Sequence, residues 1–190
     1  MKTSVKIGLF FALIWIIITM ILYLAGISKL SFRAMVLVNI FFLMASVSVG
    51  LFLTKRESKF DKGFFLEDFK TSMQSGIVYS LIISSFVYLY HAKIDQSIRQ
   101  DLIDAQIEAI HTNVPDSETY AEMQAKDPTW KDKGYDDYIE LMEDQATSMI
   151  SASSVFIAHL MGLTFFSFFF AFFTTVIMRF IVLREVDARR

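Results

Sequence analysis

Four long stretches of this 190-residue chain are almost continuously apolar, and the segments between them are short or strongly polar. A hydrocarbon core of ~30 Å takes ~20 helical residues to cross at ~1.5 Å per residue. Spans are therefore predicted near Ile7–Ile27, Ala34–Leu53, Met73–Ala92 and Val155–Met178. The first run follows Lys2 and Lys6 as the core of a signal peptide would. It is too long for an h-region, however, no small-x-small cleavage site follows it, and a second span arrives within seven residues. It reads as a retained span.

The pattern changes after Ala92. From Lys93 to Ile110, helical spacing places Asp101, Asp104 and Glu108 on one face. Ile94, Ile98, Leu102 and Ala105 form a flanking apolar stripe, broadened by Ile103, Ile107 and Ile110. No Gly or Pro lies between Val87 and Ile110, so the third span is expected to continue out of the membrane as a helical arm. Its exit falls around Tyr88, Tyr90 and His91, whose rings with polar tips suit the headgroup layer. Asn113, Pro115 and Asp116 end the arm, and Asp116 or Ser117 can cap a short helix running to about Lys126. Beyond turns at Asp127-Pro128 and Gly134, the helical spacing of Tyr138, Leu141, Met142, Gln145 and Met149 predicts a returning helix.

The expected fold class is all-α, an integral membrane four-helix bundle with an extracytoplasmic helical excursion between spans three and four. Residues 1–92 hold three spans and a basic, aromatic cytoplasmic loop at 54–72. Residues 93–151 form the acidic excursion, and residues 152–190 the fourth span and a basic tail.

Composition agrees. With 54% hydrophobic residues and a mean hydropathy of +0.47, the chain is too apolar for a soluble domain of its size. Cysteine is absent, which rules out disulfides, thiolate metal sites and a Cys nucleophile. The two prolines, Pro115 and Pro128, fall in the excursion, so the spans carry no proline kinks.

Charge supplies a direction. The formal net charge of −2 hides a division, because residues 93–151 carry fourteen acids against five bases and the remainder thirteen bases against six acids. Lys2, Lys6, Lys55, Arg56, Lys59, Lys62, Lys70, Arg179, Arg184, Arg189 and Arg190 all fall on one side of a four-span topology. The other side has Lys29 and Arg33 in a short turn, with Lys93 and Arg99 near the membrane edge. The positive-inside rule places both termini in the cytoplasm, and the expected location is the cytoplasmic (inner) membrane.

Candidate chemistry is sparse. No ionisable residue sits at a span centre, where transporters and pumps place them at a cost of ~2.5–3.5 kcal/mol each. Asn39 and His159 lie nearer the outer ends and read as interhelical hydrogen-bond partners or, alternatively, as parts of a solute path. His91 and Asp95, four apart, read as a hydrogen-bonded pair at the membrane edge. DKGYDD at 132–137 resembles a calcium loop only faintly, lacking the spacing of a bidentate Glu. None of the common nucleotide-binding, metalloprotease or nucleophile-elbow motifs is present. No catalytic residue, metal ligand or cofactor is therefore assigned.

Three features bear on packing and partners. Ser46-x3-Gly50, Gly76-x3-Ser80-x3-Ser84 and Ser154-x3-Ala158-x3-Gly162 give three spans strips of small residues, suited to close helix packing within the bundle or against another subunit. FFSFFFAFF at 165–173 rings the fourth span with aromatics, some of which must face lipid or a partner. In the inner loop, KRESKFDKGFFLEDFKTSMQSG at 55–76, bases alternate with rings. Lys55, Arg56, Lys59, Phe60, Lys62, Phe64 and Phe65 are the candidate residues for docking anionic lipid or a cytosolic protein, on a short helix lying in the interface.

The stretch GFFLEDFKTSMQSGIVYSLIISSFVYLYHAKID, the acidic helical region after it and the final span ending in TVIMRF resemble a Bacteroidetes inner-membrane family, domain of unknown function four-one-nine-nine. The resemblance implies no catalytic residues. It does imply an accessory role beside a membrane-associated glycosyltransferase that loads sugars onto polyprenyl phosphate. The expected function is a non-enzymatic accessory or scaffold subunit, with a small-solute transporter or channel, or a lipid-acting enzyme, as alternatives. The expected partners are the bilayer and a membrane or cytosolic protein, with no nucleic acid.

Overall fold

The structure, a computed structural model, describes residues 1–184, without the side chains of residues 28–33 and 128. Arg189 and Arg190 of the expected basic tail lie outside the described residues, as do the side chains of Lys29 and Arg33. The described residues form seven α-helices and no strands. They are α1 (Thr3–Leu24), α2 (Ser28–Glu57), α3 (Phe65–Leu89), α4 (Ser97–Asn113), α5 (Ser117–Lys126), α6 (Tyr135–Met149) and α7 (Ala152–Ile177). Short π-helical turns follow α3 (Tyr90–Ile94) and α7 (Met178–Val182). Four segments are long and apolar enough to cross a membrane, namely Thr3–Leu24, Ala34–Glu57, Phe65–Ile94 and Ala152–Val182, and they mark a multi-pass membrane protein.

The chain divides into two compact units. One comprises Met1–Val87 with the chain from Phe156 onward, the other Tyr88–Val155.

The first unit is a four-helix bundle of alternating direction. Thr3 at the start of α1 donates to the Glu57 carboxylate at the end of α2 (2.7 and 2.8 Å). Ser46 and Ser75 bond across α2 and α3 (2.9 Å), and Ser80 and Ser167 across α3 and α7 (3.2 Å). The interior is small and hydroxylated, with Ser4, Ser46, Ser72, Ser75, Ser80, Ser84, Ser167 and Thr175 all buried among Ala12, Leu43, Val47, Tyr79, Ile83 and Ala171. Large apolar residues such as Phe10, Ile17, Leu37, Phe41, Phe165 and Phe180 point outward. Lipid tails are as apolar as leucine, so burying leucine gains little there. Close approach and hydrogen bonds hold the helices instead.

The second unit is built on rings. Tyr120, Tyr138 and Val114 are buried together, with Met123, Trp130, Tyr135, Ile139 and Met142 packed around them. The Tyr120 and Trp130 rings each lie 5.0 Å from Tyr138. α4 and α6 pair, and His111 meets Glu143 at 2.8 Å. Asp116 caps α5 through the Thr119 N–H (2.8 Å), and Asp127 caps the turn at Pro128–Trp130 through the Thr129 N–H (3.0 Å). Asp137 of the DKGYDD stretch accepts from the Gly134 N–H (3.3 Å) and closes the start of α6.

Three expectations are corrected. The third span does not run unbroken into the arm. After the π-helical turn, Asp95 takes an extended conformation, its carboxylate accepts from the Ser97 N–H (3.0 Å) and hydroxyl (2.5 Å), and α4 starts afresh. Such an Asx turn breaks a helix without Gly or Pro. The apolar face of α4 is narrower than expected, because Ile98, Ile103 and Ile110 are buried while Leu102 is 46% exposed and Ala105 is exposed. On α6 the inward residues are Tyr138 and Ala146, with Gln145 and Met149 exposed. Finally, the inner loop holds no separate interfacial helix. α2 runs on through Glu57 and α3 begins at Phe65, with Glu67 and Asp68 in its first turn, where the helix dipole favours acids. Only residues 58–64 remain as loop.

Candidate functional site

The loop is shaped by the end of α2. Ser58 donates to the Lys55 carbonyl (3.0 Å), and the Phe60 N–H reaches the same carbonyl (2.7 Å). This tight return puts Lys59 (φ 53°) and Phe60 (φ 59°) in the left-handed region, at ~1–2 kcal/mol per residue. Packing of Phe60 on the buried cluster of Leu51, Met178 and Leu183, and 5.9 Å from the Phe52 ring, offsets part of that cost.

The remainder is held by charge. Lys55 Nζ lies 2.7 Å from Asp68 Oδ1, and Arg179 Nη1 lies 2.9 Å from Asp68 Oδ2. Three helices thus meet on one carboxylate. Each cation also takes loop carbonyls. Lys55 donates to those of Asp61 (2.6 Å) and Lys62 (3.4 Å), and Arg179 to those of Lys62 (2.8 Å) and Gly63 (3.2 Å). Gly63 sits at φ +41° to present its carbonyl. The Lys55 and Asp68 side chains are only 8% and 5% exposed. A second carboxylate, that of Glu67, accepts from the Phe64 N–H at 3.4 Å on the loop side of the clamp.

This geometry divides the expected docking set. Lys55 faces inward and is committed to the clamp, a correction to its place on the docking surface, because a buried ammonium needs the carboxylate that Asp68 supplies. Phe60 is half-buried, and Phe65 is exposed on one side while its ring lies against Phe69 and Phe172. Arg56, Lys59, Lys62 and Phe64 are exposed. Leu66, which the loop pattern did not single out, is 72% exposed beside Phe64 at 75%. Asp68 and Arg179 were missed as a unit, since four acids fall among the bases of residues 55–70 and only folding selects one.

The packing strips divide as well. Ser46, Gly50, Gly76, Ser80 and Ser84 are all buried. A Cβ on Gly50 would meet Ser75 Oγ at 2.8 Å, and one on Gly76 would meet Ser167 Oγ at 2.7 Å. On α7 the inward line is instead Leu163, Ser167, Ala171 and Thr175. Ala158 is exposed, a Cβ on Gly162 would meet nothing within 4 Å, and Ser154 bonds Ser151 (2.9 Å) and the Ser148 carbonyl (2.9 Å) in the turn before α7. The signal lay in the aromatic run itself. Its two non-aromatic positions, Ser167 and Ala171, are the inward ones.

Asn39 accepts from the Tyr79 hydroxyl at 2.6 Å, linking α2 and α3, and His159 is half-buried on α7. Among the described residues, no three His, Asp or Glu side chains converge in a way that could hold a metal ion.

A family model described as "Protein of unknown function (DUF4199)" matches residues 6–180, and the chain belongs to that family. No curated protein and no solved structure matches it.

Proposed function

We propose that this member of the family is a non-enzymatic accessory or scaffold subunit of the cytoplasmic membrane, with both termini and the 58–64 loop inside and residues 93–151 outside. The observation that carries this reading is where the polar groups of the bundle go. Asn39 with Tyr79, Ser46 with Ser75 and Ser80 with Ser167 are interhelical pairs, and the buried charges Lys55 and Asp68 sit at the bundle end, tied to the loop. A transport path places its ionisable groups within the span. Orientation rests on the excess of Lys and Arg at the loop and termini. The exposed bases and rings of the loop are the docking surface. The partner class implied by the resemblance is a membrane-associated glycosyltransferase.

A solute path is the second reading. It is favoured by the hydroxyls of Ser72, Ser84 and Thr175, which are fully buried without a hydrogen-bond partner. Purified protein in proteoliposomes decides between the two. The scaffold reading expects no flux above empty vesicles, together with a stoichiometric membrane partner recovered by cross-linking in the native membrane. Reproducible transport abolished by His159→Ala defeats it.

A further inference from the structure

We propose that the loop end of the bundle is a preorganised site for an anionic phospholipid headgroup, with Asp68 as its positioning residue. This rests on the reading of the loop as the docking surface, and it names both the occupant and what shapes the site.

The carbonyls of Asp61, Lys62 and Gly63 turn inward onto Lys55 and Arg179. With the backbone anchored on that side, the side chains of Lys59, Lys62 and Phe64 are exposed, as is Arg56 on the last turn of α2. The clamp beneath them holds two cations to the Asp68 carboxylate, with the Glu67 carboxylate beside it at the Phe64 N–H (3.4 Å), so the attraction for an anion comes from the exposed bases that the clamp positions. Phe64 and Leu66 are 75% and 72% exposed beside those bases. Nearby, Phe52 on α2 and Phe180 and Ile181 in the π-helical turn after α7 are exposed apolar residues of the membrane-crossing segments. Bases meeting apolar rings at the end of membrane helices match a phosphate with acyl chains attached, where a free anion would use the bases alone.

The clamp makes the proposal distinguishable from simple surface charge. Asp68→Asn removes a negative charge, so a surface acting through charge alone would bind anionic lipid more tightly. A preorganised site binds it less tightly, because Lys55 and Arg179 repel each other and release the loop. Gly63→Ala changes no charge. It strains a backbone at φ +41° and sets a Cβ 3.1 Å from the Glu67 carboxylate, which shifts the carbonyl that Arg179 holds.

The experiment titrates the detergent-purified full chain with short-chain phosphatidylglycerol and phosphatidylcholine, and counts bound lipid by native mass spectrometry, with inorganic phosphate as competitor. Wild type should prefer phosphatidylglycerol. Lys59→Gln with Lys62→Gln should weaken that binding by up to ~25-fold, about five-fold per base. Asp68→Asn and Gly63→Ala should each weaken it in protein that remains monodisperse, and Gly63→Ala decides the matter if Asp68→Asn does not fold. Equal retention of the two lipids, displacement by inorganic phosphate, or tighter binding by Asp68→Asn with Gly63→Ala unchanged would each overturn the proposal. None of these readouts depends on a protein partner or on solute flux, so they fail separately from the scaffold reading.

Discussion

A Cβ placed on Gly76 would lie 2.7 Å from Ser167 Oγ and 2.8 Å from its Cβ, so α3 and α7 meet at a point that admits glycine alone. Gly76→Ala should therefore destabilise the bundle by about 1–3 kcal/mol, the usual cost of overpacking. Gly162→Ala on α7 faces open space and should cost nothing measurable. Unfolding of the two variants in mixed detergent, compared with wild type, checks the contrast. Equal effects would mean that the helices do not cross at Gly76.

The clamp is asymmetric in its charges. Lys55→Met leaves Asp68 balanced by Arg179, whereas Asp68→Asn leaves the buried Lys55 and the partly buried Arg179 without their shared carboxylate. Breaking a buried pair by removing its shared partner costs ~3–5 kcal/mol, and Lys55→Met should cost clearly less. Thermal melts of the purified variants test the order. A larger loss for Lys55→Met would show that the carbonyl contacts of Lys55 outweigh the charge balance.

Orientation is testable without removing any native thiol. With the positive-rich loop inside, a membrane-impermeant maleimide applied to intact cells with a permeable outer envelope should label Ser117→Cys and leave Ser58→Cys unlabelled until the cells are opened. The reverse pattern would invert the topology.

Acid should act on the second unit. The Thr119 N–H and then its hydroxyl hold the Asp116 carboxyl below its ordinary pKa, and the Thr129 hydroxyl and then its N–H do the same for Asp127. A carboxyl whose folded pKa is depressed contributes stability that is complete above its unfolded value of ~3.9 and is lost as pH falls through the folded value. In a Trp15→Phe background, Trp130 emission should hold steady from neutral pH to about pH 4 and change below it as the caps release. Asp116→Asn with Asp127→Asn should blunt that step. An unaltered acid transition in the double variant would assign it to other groups.

Much of the outline was legible because it rests on sums over many residues. Hydropathy across ~20 positions marks a span whatever its neighbours do. All four spans are present, although α3 begins at Phe65 rather than near Met73. The Asp116 cap and the turns at Asp127 and Gly134 were legible for the opposite reason, since each closes on residues within three positions.

Other features depend on which surfaces meet, and those required the folded chain. Small residues permit close helix approach without choosing it, and α7 offers two such lines. The facing serines of α3 select Ser167 and Ala171 and leave Ala158 and Gly162 outside. Lys55 reads as one surface base among several until Asp68 and Arg179, distant in sequence, arrive beside it and draw it inward. The sequence by itself determined an all-helical chain with four membrane-crossing segments, because apolar length and backbone hydrogen bonding in lipid leave few alternatives. The tertiary structure alone decided the inward faces and the charge that closes the bundle end, because a pairwise contact exists only once both partners have been placed.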